Sequence, residues 1–215
     1  MAFVISKKYG QDNTLYIVSG FMRTGTSMMM KALEAGGLEA EYKQSRETMR
    51  QRFADDKYDP NVGGLYELER EDYMKPGFPK GYEGKLLKAL NMEHARPNGI
   101  VKSFNIMPDG MRVVFMKRDG EEIRQSFDAF FDKQLPEEQI KTMNKRFKGC
   151  LERIRNRRDV ISCHDFWFRD VIEEPKKHFQ ILKDAGWEID VDKCVKVVDP
   201  KYCRFKKENL TKGVI

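Results

Sequence analysis

The sequence predicts an α/β domain, built on a central, mostly parallel sheet with helices on both faces. Three observations carry this. Residues 13–37 pass from an apolar, β-forming run through a glycine turn into a helical pattern. Strand-like and helix-like segments then alternate between residues 99 and 186, and such alternation implies parallel strands joined by helical crossovers. The length, 215 residues, suits one domain with a substantial core better than two, so residues 1–215 are expected to form a single domain.

The first strand is "NTLYIVSG" (13–20), a short apolar run ending in glycine. In "TGTSMMMKALEAGG" the residues Met28, Met29, Ala32 and Leu33 have helical spacing, and Gly36 and Gly37 form a C-terminal stop. Residues 40–98 are polar and punctuated, with "DDKYDPNVGG", "MKPGFPKGYEG" and "ARPNG". They read as loops and short helices, "YEGKLLKALNMEHA" being the strongest helix candidate. An insertion of this kind on a rigid scaffold is where substrate specificity usually resides.

Regular structure resumes with strands at "GIVKSF" (99–104) and "MRVVFMKR" (111–118). Asp119 can cap the next helix, with Glu122 placed as in a capping box. That helix, "GEEIRQSFDAFF", puts Ile123, Phe127 and Phe130 or Phe131 on one face. A charged helix follows in "PEEQIKTMNKRFKGCLERIRNRR", then a strand in "DVISCH" (159–164) and a helix in "EPKKHFQILKDAG" stopped by Gly186. The tail "VVDPKYCRFKKENLTKGVI" is basic and irregular. There is no internal repeat and no low-complexity tract.

Hydrophobic residues make up 40% of the chain and mean hydropathy is −0.68. No apolar run approaches the ~18 residues of a membrane span. The N-terminal order, apolar then charged, is the reverse of a secretory signal. A soluble, cytoplasmic protein with no membrane partner is expected. Cys150, Cys163, Cys194 and Cys203 form no C-x-x-C pair and no zinc spacing, so free, partly buried thiols are expected. Net charge is +6 and pI about 9.0, which suits an anionic partner, either nucleic acid or an anionic cofactor. No recognition-helix, zinc-finger or RNP-like motif accompanies the charge, so nucleic acid is not expected.

The chemistry concentrates in "GFMRTGTSMMM" (20–30). Gly20, four residues, Gly25 and then Thr26-Ser27 match the phosphate-loop frame G-x-x-x-x-G-K-[ST] except that its lysine is missing, while Arg23 brings a positive charge earlier. In open α/β sheets the ligand sits beyond the carboxyl ends of the strands, where helix N–H groups and the helix dipole favour an anion. Arg23, Thr24, Gly25, Thr26 and Ser27 are therefore a candidate anion cradle. A nucleoside triphosphatase needs the lysine, and Mg²⁺ held by the loop hydroxyl and a strand-end Asp. Here "RVVFMKRD" reaches Arg118 before Asp119, so a cation stands where a metal-binding carboxylate is wanted. A less charged ligand such as a phosphosulfate fits better, and no metal is expected.

At this point the sequence resembles a family. "IVSGFMRTGTS" resembles the 5′-phosphosulfate loop of sulfotransferases, G-x-P-[RK]-S-G-T-[TS]. "VVFMKRDGEEIRQS" resembles their second signature, a strand-end arginine and a serine eight residues later, here Arg118 and Ser126. The two signatures lie in the right order, about 95 residues apart, and the resemblance covers most of residues 13–205. It implies a P-loop NTPase-like sulfotransferase architecture and 3′-phosphoadenosine 5′-phosphosulfate as sulfonate donor. The loop would hold the 5′-phosphosulfate; Arg118 and Ser126 would hold the 3′-phosphate.

"IVKSFNIMP" is similar to the segment that carries a lysine near the sulfonate, which makes Lys102 a catalytic candidate beside Arg23. "PNVGGLYELE" is similar to the N-P-K-G stretch of many bacterial members, and "ISCHDF" loosely to their Y-E-D-L. Other sulfotransferases use a glutamate base, so Glu67 is the first candidate, followed by Glu69 and His94. His164 and His178 read as structural. Three departures stand out: Met22 replaces the loop proline, Phe104 replaces the histidine base of cytosolic members, and no R-K-G-x-x-G motif is recognisable. Arg204, Lys206 and Lys207 are possible substitutes for that last motif.

The acceptor would be a small molecule or a glycan, bound by residues 40–98. "KRFKGCLERIRNRR" reads as a solvated helix face, or as a site for an anionic acceptor. Two alternatives remain open on the sequence: a P-loop kinase or nucleotidase with a degenerate loop, and a non-catalytic nucleotide- or nucleic-acid-binding protein.

Overall fold

The computed structural model describes residues 13–41, 76–78, 80–90, 110–131 and 135–203. The expected strand at 99–104 lies outside them, as do Glu67, Glu69, His94, Lys102, Phe104, Arg204, Lys206 and Lys207.

The described chain runs β1 (Leu15–Gly20), α1 (Thr26–Ala35), β2 (Glu39–Ala40), β3 (Lys85–Leu90), β4 (Met111–Lys117), α2 (Gly120–Phe131), α3 (Glu137–Arg155) and β5 (Val160–Trp167). It ends in α4 (Phe168–Glu173), α5 (Pro175–Asp184), α6 (Val191–Val197) and a 3₁₀ turn, Pro200–Tyr202. The sheet order is β2-β3-β1-β4-β5, and every described pairing is parallel. The expected "mostly parallel" sheet is thus parallel throughout its described strands. The short β2, α4 and α6 have no counterpart in the sequence reading.

In the segment expected as a helix, "YEGKLLKALNMEHA", Lys85–Leu90 are instead the strand β3, paired with β1 from Tyr16↔Leu86 to Gly20↔Leu90, and residues 91–95 lie outside the described residues. Leu, Lys and Ala are good helix formers, so local propensity favours a helix. Two features override it. Gly84 adopts φ +74, a left-handed conformation that interrupts a helix starting at Tyr82. The position beside β1 then buries both faces of the segment, with Leu86 and Leu87 fully buried. A strand covered on both sides reads as a near-continuous apolar run, not as an alternating one.

Side chains alternate strictly between the two faces. Tyr16, Val18, Leu86, Val114, Met116 and Phe166 pack with α1, α4, α5 and α6. Leu15, Ile17, Leu87, Ala89, Val113 and Phe115 pack on the other face against Phe147, Cys150, Leu151 and Ile154 of α3. The basic side chains Lys145, Arg146, Lys148, Arg153 and Arg155 of α3 are exposed, the solvated face that the sequence suggested. No described helix is long and apolar enough to cross a membrane.

All four cysteines are free, and three of them are buried. Burial pushes the Cys163 thiol up to about 11 and the Cys194 thiol up to about 12, so neither is a nucleophilic thiolate at neutral pH. His178 is buried, with Nδ1 2.9 Å from the Glu174 carbonyl and its ring edge-on to Phe166, a structural role.

Across the ends of β4 and β5, Asp165 accepts hydrogen bonds from Lys117 and from Arg155 of α3. Burial pushes its carboxyl up, but the Lys117 hydrogen bond and the charges of Lys117 and Arg155 outweigh this and hold it below its ordinary value. A depressed carboxyl contributes stability that is present above its unfolded value, near pH 3.9, and is lost as pH falls through the folded value. Asp165→Asn is therefore expected to cost roughly 1 kcal/mol at neutral pH, a deficit that urea denaturation should find vanishing in acid.

Candidate anion-binding site

The chain leaves β1 through a turn shaped by close approach. Gly20 has φ +150, and a Cβ there would sit 2.6 Å from Thr24 Oγ1 and 2.7 Å from the Met116 carbonyl. Thr24 closes the turn: its hydroxyl donates to the Phe21 carbonyl at 2.8 Å, and its N–H points to the same oxygen at 3.4 Å. Arg23 is left-handed at φ +69, the one such non-glycine among the described residues. That conformation costs roughly 1–2 kcal/mol for a residue with a Cβ. Gly25, at φ +91, then caps α1, and its missing Cβ would lie 2.2 Å from Phe168 Cδ2. As N-cap, Gly25 brings no side chain to the first N–H groups of α1, which have no partner within the helix.

Burial alternates along the loop. Thr24 and Thr26 are buried, whereas Arg23, Gly25 and Ser27 are half-buried. The Thr24 hydroxyl proton is committed to the turn. Arg23, the Gly25 backbone and Ser27 form the open side of the cradle.

The second predicted cluster meets the first. Arg23 Nε donates to Ser126 Oγ at 3.0 Å, and Arg118 Nη1 donates to the Arg23 carbonyl at 3.1 Å. Arg23 is thus brought to Arg118 and Ser126, which lie 95 and 103 residues further along the chain. Arg118 is 6% exposed, and its guanidinium lies 4.6 Å over the Phe168 ring. Its Nε donates to Glu122 at 3.0 Å, and Arg169 of α4 donates to the other oxygen of the same carboxylate. Arg118 Nη2 is fully buried and has no hydrogen-bond partner among the described residues. A buried donor left unsatisfied is costly, so this N–H points to a missing acceptor.

Asp119 caps α2 as expected, accepting from the Glu121 N–H at 2.8 Å and the Glu122 N–H at 3.4 Å. The reciprocal half of the capping box is absent: the Glu122 side chain turns to the two arginines.

The residue that sequence reasoning missed is Lys88. It is 2% exposed on the α1 face of β3, and its Nζ donates to Ser27 Oγ at 2.9 Å. In the helical reading Lys85 and Lys88, three apart, share one solvated stripe. In a strand they point to opposite faces, which sends Lys85 to Glu39 and Lys88 into the interior. Gly84 and the run Leu86, Leu87, Ala89, Leu90 were the available signal for a strand.

The loop, β3, the end of β4 and α4 thus contribute four cationic side chains: Arg118 and Arg169 bond Glu122, Arg23 bonds Ser126 and Lys88 bonds Ser27. Cationic side chains beside a helix N-terminus can hold a phosphate or sulfate ester. Among the described residues no group of three or more His, Cys, Asp or Glu side chains could hold a metal ion. No protein-family model matches the chain, and no curated protein matches it.

Glu122→Gln leaves two arginines facing an uncharged amide in a buried site. It is expected to lower stability by about 3 kcal/mol or more, measurable by urea denaturation. Gly25→Ala combines a left-handed φ with the Phe168 collision and is expected to cost at least about 1 kcal/mol in the same measurement.

Proposed function

We propose that this protein is a sulfotransferase, which moves a sulfonate group from 3′-phosphoadenosine 5′-phosphosulfate to a hydroxyl or amine of a small-molecule or glycan acceptor. The observation that carries the reading is the buried Arg118 with its unpartnered Nη2, set against the Arg23–Ser126 pair. This is the donor set that a second, separate phosphate on a nucleotide requires.

The placement of the loop supports the same reading. β1 and β4 are neighbours, and the chain leaves β1 towards β2 on one side and β4 towards β5 on the other. Adjacent strands whose connections part in this way open a crevice at their carboxyl ends, the usual ligand position in such sheets. We read the architecture as of the P-loop type on this basis.

In this scheme the α1 N-terminus, Ser27 and Thr26 hold the 5′-phosphosulfate, and Arg118 and Ser126 hold the 3′-phosphate. The nucleotide supplies an activated sulfonate. Arg23 and Lys102 stabilise the negative charge that develops on the phosphate side of the breaking S–O bond. Glu67 accepts the proton of the attacking hydroxyl. Of residues 40–98, expected to form an acceptor-binding insertion, 85–90 are the sheet strand β3, which leaves the stretch before it, 41–84, to shape the acceptor pocket.

Calorimetry with 3′-phosphoadenosine 5′-phosphate tests the proposal. Binding without Mg²⁺ is expected; no binding in its absence, or Mg²⁺-dependent ATP turnover, would sink the idea. Arg118→Ala, and the milder Ser126→Ala, are expected to weaken this ligand by about tenfold to a hundredfold. Adenosine 5′-phosphosulfate, which lacks the 3′-phosphate, should lose far less. Equal losses for the two ligands would contradict the assignment.

A further inference from the structure

Two parts of the candidate site meet on one aromatic ring. Phe168 is the first residue of α4, directly after β5, and is 2% exposed. One edge of its ring lies against the glycine loop, where a Cβ on Gly25 would collide with Cδ2 and Cε2. Its face lies under Arg118, whose Cζ is 4.6 Å from the ring centroid. Gly25 opens α1, its carbonyl accepting the Met29 N–H at 3.1 Å. The ring thus touches both the helix N-terminus and the strand-end arginine. The Arg118 bond to the Arg23 carbonyl, at 3.1 Å, closes the circle of contacts.

We propose that Phe168 is a positioning residue of the anion site. Its ring sets the spacing between the α1 N-terminus and the Arg118 guanidinium, and so favours a nucleotide with two separate phosphate-like groups over one with a single group. Three observations carry this. Gly25, at φ +91, leaves no room for even a methyl group beside the ring, so the loop and the ring fix each other's position. The ring covers one face of the guanidinium in a cation–π arrangement, which turns an incoming anion to the guanidinium edge. On that edge Nε is committed to Glu122 and Nη1 to the Arg23 carbonyl, whereas Nη2 has no partner among the described residues. The ring is also held from behind, because Val171 and Ile172 of α4 are buried in the same core as Met28 and Met29 of α1. The inference deepens the proposed function and rests on its reading of Arg118 as a second phosphate site.

The test follows the backbone amides of Gly25 and Thr26 and the Nε–H resonance of Arg118 during titration. The probes are inorganic phosphate, adenosine 5′-phosphosulfate and 3′-phosphoadenosine 5′-phosphate. In the wild-type protein the last should move both sets of signals and bind more tightly than adenosine 5′-phosphosulfate, which moves the loop alone. Phe168→Leu keeps an apolar chain and removes the ring. It should weaken 3′-phosphoadenosine 5′-phosphate by about threefold to thirtyfold and adenosine 5′-phosphosulfate by less, so that the preference shrinks. In an Arg118→Ala background the same substitution should leave the preference unchanged, since the coupling passes through Arg118. Phe179→Leu, which removes an equally buried ring from α5, should lower Tm and keep the wild-type preference. A merely structural Phe168 would behave as Phe179 does.

A wild-type preference in Phe168→Leu would overturn the inference, as would an undiminished effect in the Arg118→Ala background. Phe168→Met, unbranched and adaptable, gives the same readout where the leucine variant does not fold; failure of both to fold would assign the ring to the fold and overturn it too. If inorganic phosphate moves the Arg118 resonance while the nucleotide does not bind at all, the sulfotransferase reading fails. The role of Phe168 then stands if Phe168→Leu weakens that phosphate, and falls if it does not. If the nucleotide binds and Phe168→Leu keeps its preference, the sulfotransferase reading stands and the role of Phe168 falls. No response of Arg118 to any probe would overturn both.

Discussion

A single buried carboxylate holds the site together. Glu122 is 2% exposed and takes Arg118 on one oxygen and Arg169 on the other. Arg118 comes from the end of β4 and Arg169 from α4, so the carboxylate links the end of one strand to the helix that follows its neighbour. Arg118 in turn grips the Arg23 carbonyl, and so fixes the backbone of the loop after β1. Desolvating these charges is expensive, and the pairing recovers the cost only because the geometry satisfies both carboxylate oxygens. Among the described residues Arg118 Nη2 has no hydrogen-bond partner.

The loop itself is shaped by steric exclusion. Phe168 occupies the space in which Gly25 would carry a Cβ, and Thr24 and Met116 occupy that of Gly20. The two glycines let the backbone pass between β4 and α4 so closely that N–H groups at the start of α1 face the carboxyl ends of the strands. Arg23 accepts a left-handed backbone within that passage, and its side chain reaches Ser126 as a result. The surrounding packing makes this strained backbone tolerable.

Lys88 shows where local and global preferences part. Its segment is composed of helix formers, yet the gap beside β1 takes a strand. Once the segment is a strand, period-two alternation sends Lys88 to the α1 side and leaves no route to solvent. The same alternation puts Ser19 on the opposite face, where its hydroxyl donates to the Ala89 carbonyl at 2.8 Å. One register between two strands thus decides both the chemistry offered to the loop and the way the polar groups beneath it are satisfied.

The sequence by itself determined the α/β class, β1, β4, the core of β5, the helices α1, α2, α3 and α5, the glycine loop, and the separate pair Arg118 and Ser126. Each rests on information that is local: an apolar run, a 3.6-residue period, a glycine stop, or a fixed spacing within one strand-to-helix turn. Only the tertiary structure decided that "KLLKAL" is β3, that Arg23 bonds Ser126, that Glu122 abandons its capping box for two arginines, and that Lys88 reaches Ser27. These four depend on pairing and burial between segments distant in the chain. No local pattern encodes that, because a charged side chain has the same intrinsic preferences whether it faces water or a neighbouring strand. The fold also sets a lysine against the loop from a strand that the sequence alone does not announce, because period-two alternation turns Lys88 inward once β3 is paired with β1.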